Sequence, residues 1–333
     1  MKIEKCKVKV NSFFSFSILH FTFCNLKWGL HVSLLVVGTV ALDSVKTPFG
    51  NVDNALGGSA TYFSTSASYF TDVRLVAVIG EDFPKEHIQF LKSKNIDTRG
   101  LEVQKGETFR WKGEYGYDLN EAKTLATHLN VLATFKPTIT EEYQSSDVVF
   151  LANVDPEIQL DVLQQVRKPK LVACDTMNYW IASKPDALKR TLKEVNLLTI
   201  NEAEIRQLAG EASLVKAAKS VQAMGPKTIV VKQGSYGAIM FNGHSVFSAP
   251  AYPLETVFDP TGAGDTFAGG FMGYLASTMN FGEESMRKAV IFGSVMASLN
   301  VEAFSLDRLR SLDYREIEGR YREFKSLTHF EDV

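Results

Sequence analysis

Short, nearly uninterrupted apolar runs recur along this chain at residues 34–42 (LLVVGTVAL), 74–79 (RLVAVI), 147–152 (DVVFLA), 170–174 (KLVAC), 196–200 (NLLTI) and 227–232 (KTIVVK). A strand with one wet face alternates polar and apolar side chains. Runs apolar on both faces have to be covered on both, as in a parallel sheet between two helical layers. Segments with helical spacing lie between them, at residues 86–94, 156–166, 201–208 and 213–224. That alternation predicts an α/β three-layer sandwich around a central, mostly parallel sheet. Past Ala238 the chain reads as mainly helical, with packed helices over 262–279 and 283–299 and surface helices over 308–325.

Two stretches break the alternation, 44–56 and 106–135, the second opening GETFRWKGEYGYD with aromatic and polar residues in turn. Strands this polar do not fit a buried parallel sheet, so both segments are expected in a small β lid above the main domain. The expected organisation is one domain over 32–333 carrying that lid, preceded by an extension over 1–31 outside the fold. In the extension, four lysines within residues 2–9 lead into an apolar run broken by Ser15, Ser17, His20, Thr22 and Asn25. The run is too short to span a bilayer and lacks a small-residue cleavage pattern. The segment therefore reads as an extension or an overlong start, and the expected location is the cytoplasm.

Lysine plus arginine total 36 against 38 acids, and no basic stretch interleaves with aromatics, which argues against nucleic acid as a partner. The cysteines, Cys6, Cys24 and Cys174, and the histidines are scattered, so neither a disulfide framework nor zinc spacing can be written.

The densest chemical signal is residues 259–272, DPTGAGDTFAGGFM, a Gly-rich turn running into a helix. Gly262, Ala263 and Gly264 let backbone N–H groups approach an anion, and the helix N-terminus adds its partial positive charge. Asp265 is out of place beside a phosphate unless it caps the helix or takes a proton. An alcohol accepting a phosphoryl group benefits from such a base, with fixed dipoles opposite. No GxxxxGK[ST] loop occurs, and a dinucleotide fingerprint would need glycine where Phe267 stands.

Residues 259–272 resemble the C-terminal signature of the ribokinase-like, or PfkB, carbohydrate and nucleoside kinase family. Three further segments fall in that family's order: Gly57 and Gly58 of LGGSATYFS, Asn201 and Glu204 of TINEAEIRQL, and Gly234 and Gly237 of VVKQGSYGAIMF. The resemblance implies a ribokinase-like fold with a β lid, and ATP-dependent phosphorylation of a hydroxymethyl group. Asp265 would be the base and 262–265 the anion hole. Asn201 and Glu204 would organise Mg²⁺ and phosphates, Glu204 acting on the metal through water. Lys232, Gly234, Gly237 and Asn300 are expected around the nucleotide, Asn300 near the adenine.

Asp43, just after the C-terminal end of the first strand, could by itself be an exposed loop acid; the resemblance implies that it binds the acceptor together with Gly57 and Gly58. Tyr62 stands where the family usually has asparagine. It can hydrogen-bond a hydroxyl or stack on a flat base, so it suits sugars and nucleosides alike, as does Phe109 in the lid. A sugar is the favoured acceptor. The alternatives are an adenosine-like nucleoside kinase and a non-catalytic sugar-binding regulator. K⁺ activation beside the anion hole is implied conditionally, no membrane partner is expected, and a second copy of the chain is the expected partner, met through the lid.

Overall fold

The computed structural model describes residues 32–329; the extension expected over 1–31 lies outside them. In chain order the strands are β1 (Ser33–Val37), β2 (Ala41–Thr47), β3 (Gly50–Gly57), β4 (Asp72–Gly80), β5 (Ile96–Gln104), β6 (Arg110–Tyr115), β7 (Ala122–His128), β8 (Val148–Leu151), β9 (Leu171–Asp175), β10 (Leu197–Asn201), β11 (Thr228–Lys232), β12 (Ala238–Asn242) and β13 (Ser245–Ala249). Nine form the main sheet in the order β13-β12-β11-β10-β9-β8-β1-β4-β5, and four form the lid in the order β3-β2-β6-β7. The main sheet is parallel except where β12 and β13 add antiparallel at one edge.

The five residues of β1 are all buried, and period-two alternation sends them to opposite faces. Leu34 and Val36 join a core with Phe63 of the Ser59–Ala67 helix and residues of the Ala263–Thr278 and Glu283–Asn300 helices. Leu35 and Val37 join a second core with Val162 of the Pro156–Gln165 helix and Val221 of the Leu214–Gln222 helix. This is the three-layer sandwich, a large mostly parallel sheet between helices with a small antiparallel-edged lid sheet beside it.

Three local expectations change. The run 34–42 is not one strand: it breaks after Val37, and its second half opens lid strand β2. Asp43 is therefore not a loop acid but a member of the lid sheet. Strand β5 is absent from the apolar runs because, as a half-buried edge strand, it carries a polar sequence, IDTRGLEVQ.

Within the lid, β2 pairs antiparallel with β3 and parallel with β6, and Asp43 is registered against Trp111. Alternation then puts Asp43, Val45 and Thr47 on the same face as Trp111, Gly113 and Tyr115. Val45 and Thr47 are buried, and the Thr47 hydroxyl donates to the Phe258 carbonyl at 2.9 Å, so this face rests on the main domain. Arg110, on the opposite face, pairs with Asp82 at 2.6 Å. Asp82 also accepts the Thr108 N–H and hydroxyl, each at 2.7 Å, which pins the start of β6 beside the end of β4.

Candidate active site

The helix Ala263–Thr278 starts from a turn that only this sequence of small and braced residues allows. Gly262 has φ 71°, and a Cβ there would lie 2.4 Å from the Tyr62 ring, so the left-handed turn can sit on the aromatic only as glycine. The buried Asp259 carboxylate accepts the N–H groups of Thr261 at 2.9 Å and Ser305 at 3.0 Å. Asn300 donates its amide to the Thr261 carbonyl at 3.0 Å. Together they fix the turn in front of the helix. First-turn N–H groups have no acceptor within a helix and carry its positive end. The Ala263 N–H is taken by the Pro260 carbonyl at 3.1 Å, so Ala263 drops out of the expected anion hole. The N–H groups of Gly264 and Asp265 are left without a carbonyl acceptor, as an anion hole would require. Half-buried Asp265 has its carboxyl pushed up to about 7, chiefly by burial and then by the charge of Asp175, against the pull of Lys232.

On one side of Asp265 lie the C-terminal ends of three adjacent parallel strands, where ligands bind in α/β sheets. They present Asp175 from β9, Asn201 from β10 and Lys232 from β11. The Lys232 ammonium donates to Asp175 Oδ2 at 2.6 Å, and a Cβ on Gly264 would fall 3.1 Å from Lys232 Nζ. Burial opposes the lysine's charge, but Asp175, Glu204 and Asp265 outweigh it and hold its pKa above the ordinary lysine value. Asn201 and Glu204 form a reciprocal capping box: the Glu204 N–H donates to Asn201 Oδ1 at 2.8 Å and the Asn201 N–H to Glu204 Oε2 at 3.0 Å. Burial pushes the Glu204 carboxyl up to about 7. Its other oxygen, Oε1, is not used in the box and suits the water shell of a magnesium ion.

On the other side lies the lid. Asp43 is buried, its carboxyl raised to about 7 chiefly by burial; Oδ2 accepts the Gly58 N–H at 3.3 Å and Oδ1 has no partner. That orphaned oxygen is the group an acceptor hydroxyl would satisfy. A Cβ on Gly57 would stand 1.9 Å from Asp43 Oδ2, so Gly57 makes room for the carboxylate. Trp111, in register with Asp43, donates its indole N–H to Thr124 at 3.2 Å and lies over Gly113. Phe109 is half-buried just before β6, its carbonyl accepting the Leu42 N–H at 3.0 Å. The Tyr115 hydroxyl comes within 3.4 Å of the Thr261 hydroxyl.

Two expected roles change. Tyr62 is 2% exposed and its ring is covered by Gly262, so it supports the turn and its face is closed to a flat base. Asn300 is wholly buried, its amide N–H donating to the Thr261 carbonyl while its Oδ1 has no partner, so it braces the turn ahead of the helix and presents no accessible surface to an adenine. Gly234 and Gly237, with φ 56° and 102°, shape the loop after β11. The lid reaches that loop too, Asn120 Oδ1 accepting the Ser235 N–H at 3.1 Å.

The sequence reading missed Asp175 and Tyr115. Asp175 could have been found: it is the acid ending VACD, in the position at the end of β9 that Asn201 holds on β10. Tyr115 shares an alternating stretch with Trp111, and only the strand register shows which of its residues face inward. Asp265 joins the two halves, because its charge acts on Asp43, Tyr62 and Tyr115 in the lid half and on Glu204 and Lys232 in the strand-end half.

The sequence pattern of the pfkB family carbohydrate kinases matches residues 34–309. A cytidine kinase of Thermococcus kodakarensis is 32% identical over 247 residues, covering 72% of this chain and 87% of that protein. A nucleoside kinase of Methanothermobacter thermautotrophicus is 26% identical over 286 residues, covering 81% and 89%. The crystal structure of the Methanocaldococcus jannaschii nucleoside kinase, a member of the ribokinase family, superposes with TM-score 0.70 at 19% identity, covering 87% of this chain and 98% of that one. With its signature turn, strand-end cluster and lid accounted for, the chain belongs to the pfkB family of carbohydrate kinases, phosphotransferases that act on a hydroxyl group.

Proposed function

We propose that this protein transfers the γ-phosphoryl group of ATP to the hydroxymethyl group of a nucleoside, with Asp265 as general base. The observation that carries this reading is the position of Asp265, a desolvated carboxylate at the start of a helix between the acceptor-side Asp43 and the strand-end Lys232 and Glu204. A carboxyl held near 7 is basic enough to take a proton and is still about half ionised at neutral pH. The acceptor hydroxyl gives its proton to Asp265 as its oxygen bonds the γ-phosphorus. The bond from that phosphorus to the bridging oxygen breaks, and ADP leaves. The amides of Gly264 and Asp265 and the helix terminus stabilise the charge on the transferred group.

Magnesium bound with ATP would neutralise phosphate charge, and Glu204 with Asn201 would hold its water shell. For K⁺, the fitting feature is Asp259, a buried carboxylate next to the anion hole whose hydrogen-bond partners, Thr261 and Ser305, are neutral, so a monovalent cation there would offset its charge. Lys232 and the loop of Gly234 and Gly237 flank the nucleotide in this reading, and Gly58 and Asp43 hold the ribose hydroxyls. The nucleoside is preferred over the sugar expected from sequence because the relatives named above are cytidine and nucleoside kinases and because Trp111 stands beside Asp43. The outer strands β3 and β7 of the lid sheet offer edges on which a second copy could pair.

A coupled ADP-release assay over cytidine, uridine, adenosine, ribose, fructose and keto-deoxy sugar acids tests the reading, run in potassium and in sodium. Nucleoside-dependent turnover is expected. Turnover with sugars alone would return the acceptor to the sugar class, and none with any alcohol would leave the non-catalytic regulator.

A further inference from the structure

We infer that the Lys232 ammonium contacts the γ-phosphate of the bound nucleotide and that Asp175 is the positioning residue that holds it there; this rests on the ATP-dependent reading above. The pair lies inside the site, with side-chain exposures of 17% for Lys232 and 3% for Asp175. Asp175 is itself fixed, its Oδ1 accepting the Thr176 N–H at 2.8 Å while Oδ2 takes the ammonium. A lysine ammonium has three donors, and Asp175 accounts for one. The ammonium sits against the start of the Ala263–Thr278 helix, 3.1 Å from where a Gly264 side chain would begin. That is the end of the site where Gly264 and Asp265 meet the transferred group, as opposed to the loop of Gly234 and Gly237.

Charge balance points the same way. Among the described residues, Lys232 is the cation whose charge acts on both Asp265 and Glu204, against the added negative charge of Asp175. A triphosphate entering beside three carboxylates would be repelled without it. A purely structural pair is the competing explanation, but a buried ion pair contributes little to stability compared with apolar replacements. It gives no reason for the pair to stand at the strand ends, facing the helix N-terminus.

The test is calorimetric titration of the full chain with Mg-ADP and with a non-hydrolysable Mg-ATP analogue, alongside thermal melts. Wild type, Lys232→Met, Lys232→Arg and the double variant Lys232→Met with Asp175→Asn would be compared. The double variant removes both charges of the pair, so neither partner is left facing an empty place, and it keeps the fold measurable. Lys232→Met and the double variant should lose affinity for the ATP analogue by about tenfold or more, the worth of a hydrogen bond to a charged group. Their affinity for ADP should stay within about twofold, the loss being confined to that one bond, and Lys232→Arg should recover part of it. Equal loss of both nucleotides, or no loss in a folded double variant, overturns the inference. A wild type that binds neither nucleotide overturns the ATP-dependent reading and the inference with it. Loss of γ-phosphate discrimination supports the inference even where no acceptor is turned over.

Discussion

A Cβ on Gly57 would fall 1.9 Å from Asp43 Oδ2, so Gly57→Ala must displace the acceptor carboxylate while leaving the anion hole untouched. KM for the acceptor should rise about tenfold to a hundredfold, the worth of hydrogen bonds to a charged group, with KM for ATP unchanged in steady-state assays. At Asp265, substitution by asparagine keeps size and capping but removes the base. The kcat should fall about 10²- to 10⁴-fold with nucleotide affinity retained, and a folded variant within about threefold of wild type would refute the assignment. The same carboxyl, pushed up to about 7, has to be ionised to act. The kcat/KM should therefore fall about tenfold per pH unit below that value and level off above it, a limb absent in Asp265→Asn.

At the scale of elements, the Asn201 and Glu204 capping box shows why helix-start signals are ambiguous. The residues that begin the helix after β10 by bonding one another also stand at the strand end where phosphates are expected, and local spacing cannot separate the two roles. The lid has a similar double character. Its polar alternation was legible, but the inward face was not, because the register of β2 on β6 is a contact between segments distant in sequence. The lid tip touches the loop after β11 through Asn120 and Ser235. Asn120→Ala should speed amide exchange around 116–121 without affecting β2, whereas exchange in 106–117 of wild type should slow when a true acceptor binds. Exchange that is unchanged at saturating acceptor would count against closure on the substrate.

At the scale of the whole molecule, the site gathers Asp43, Glu204 and Asp265, each with its carboxyl raised to about 7 chiefly by burial. A carboxyl with a raised folded pKa stabilises the fold fully below its unfolded pKa, and that contribution disappears as pH rises through the folded value. In the absence of nucleotide the Tm should therefore fall from about pH 4 to about pH 7 by way of these groups. The decline should be shallower in Asp43→Asn and Asp265→Asn. The first strand begins at Ser33, and deletion of residues 1–31 is expected to change Tm by less than about 5 °C, a shift on the order of 1 kcal/mol.

The amino-acid sequence determined the layers and the signature turn. Apolar runs two-faced in pattern can be satisfied only between helical layers, and the DPTGAGD turn carries its own backbone chemistry, so both are local properties of contiguous residues. Tertiary structure decided what depends on segments far apart in the chain. The end of the 34–42 run turns into the lid because β2 finds β3 and β6, and polar β5 is a strand only because β4 offers it an edge. Tyr62 supports the turn because Gly262 closes over it, and Asp175 meets Lys232 across an intervening strand. Hydrophobic pattern is written residue by residue, whereas register and the pairing of buried charges arise only when the strands are side by side.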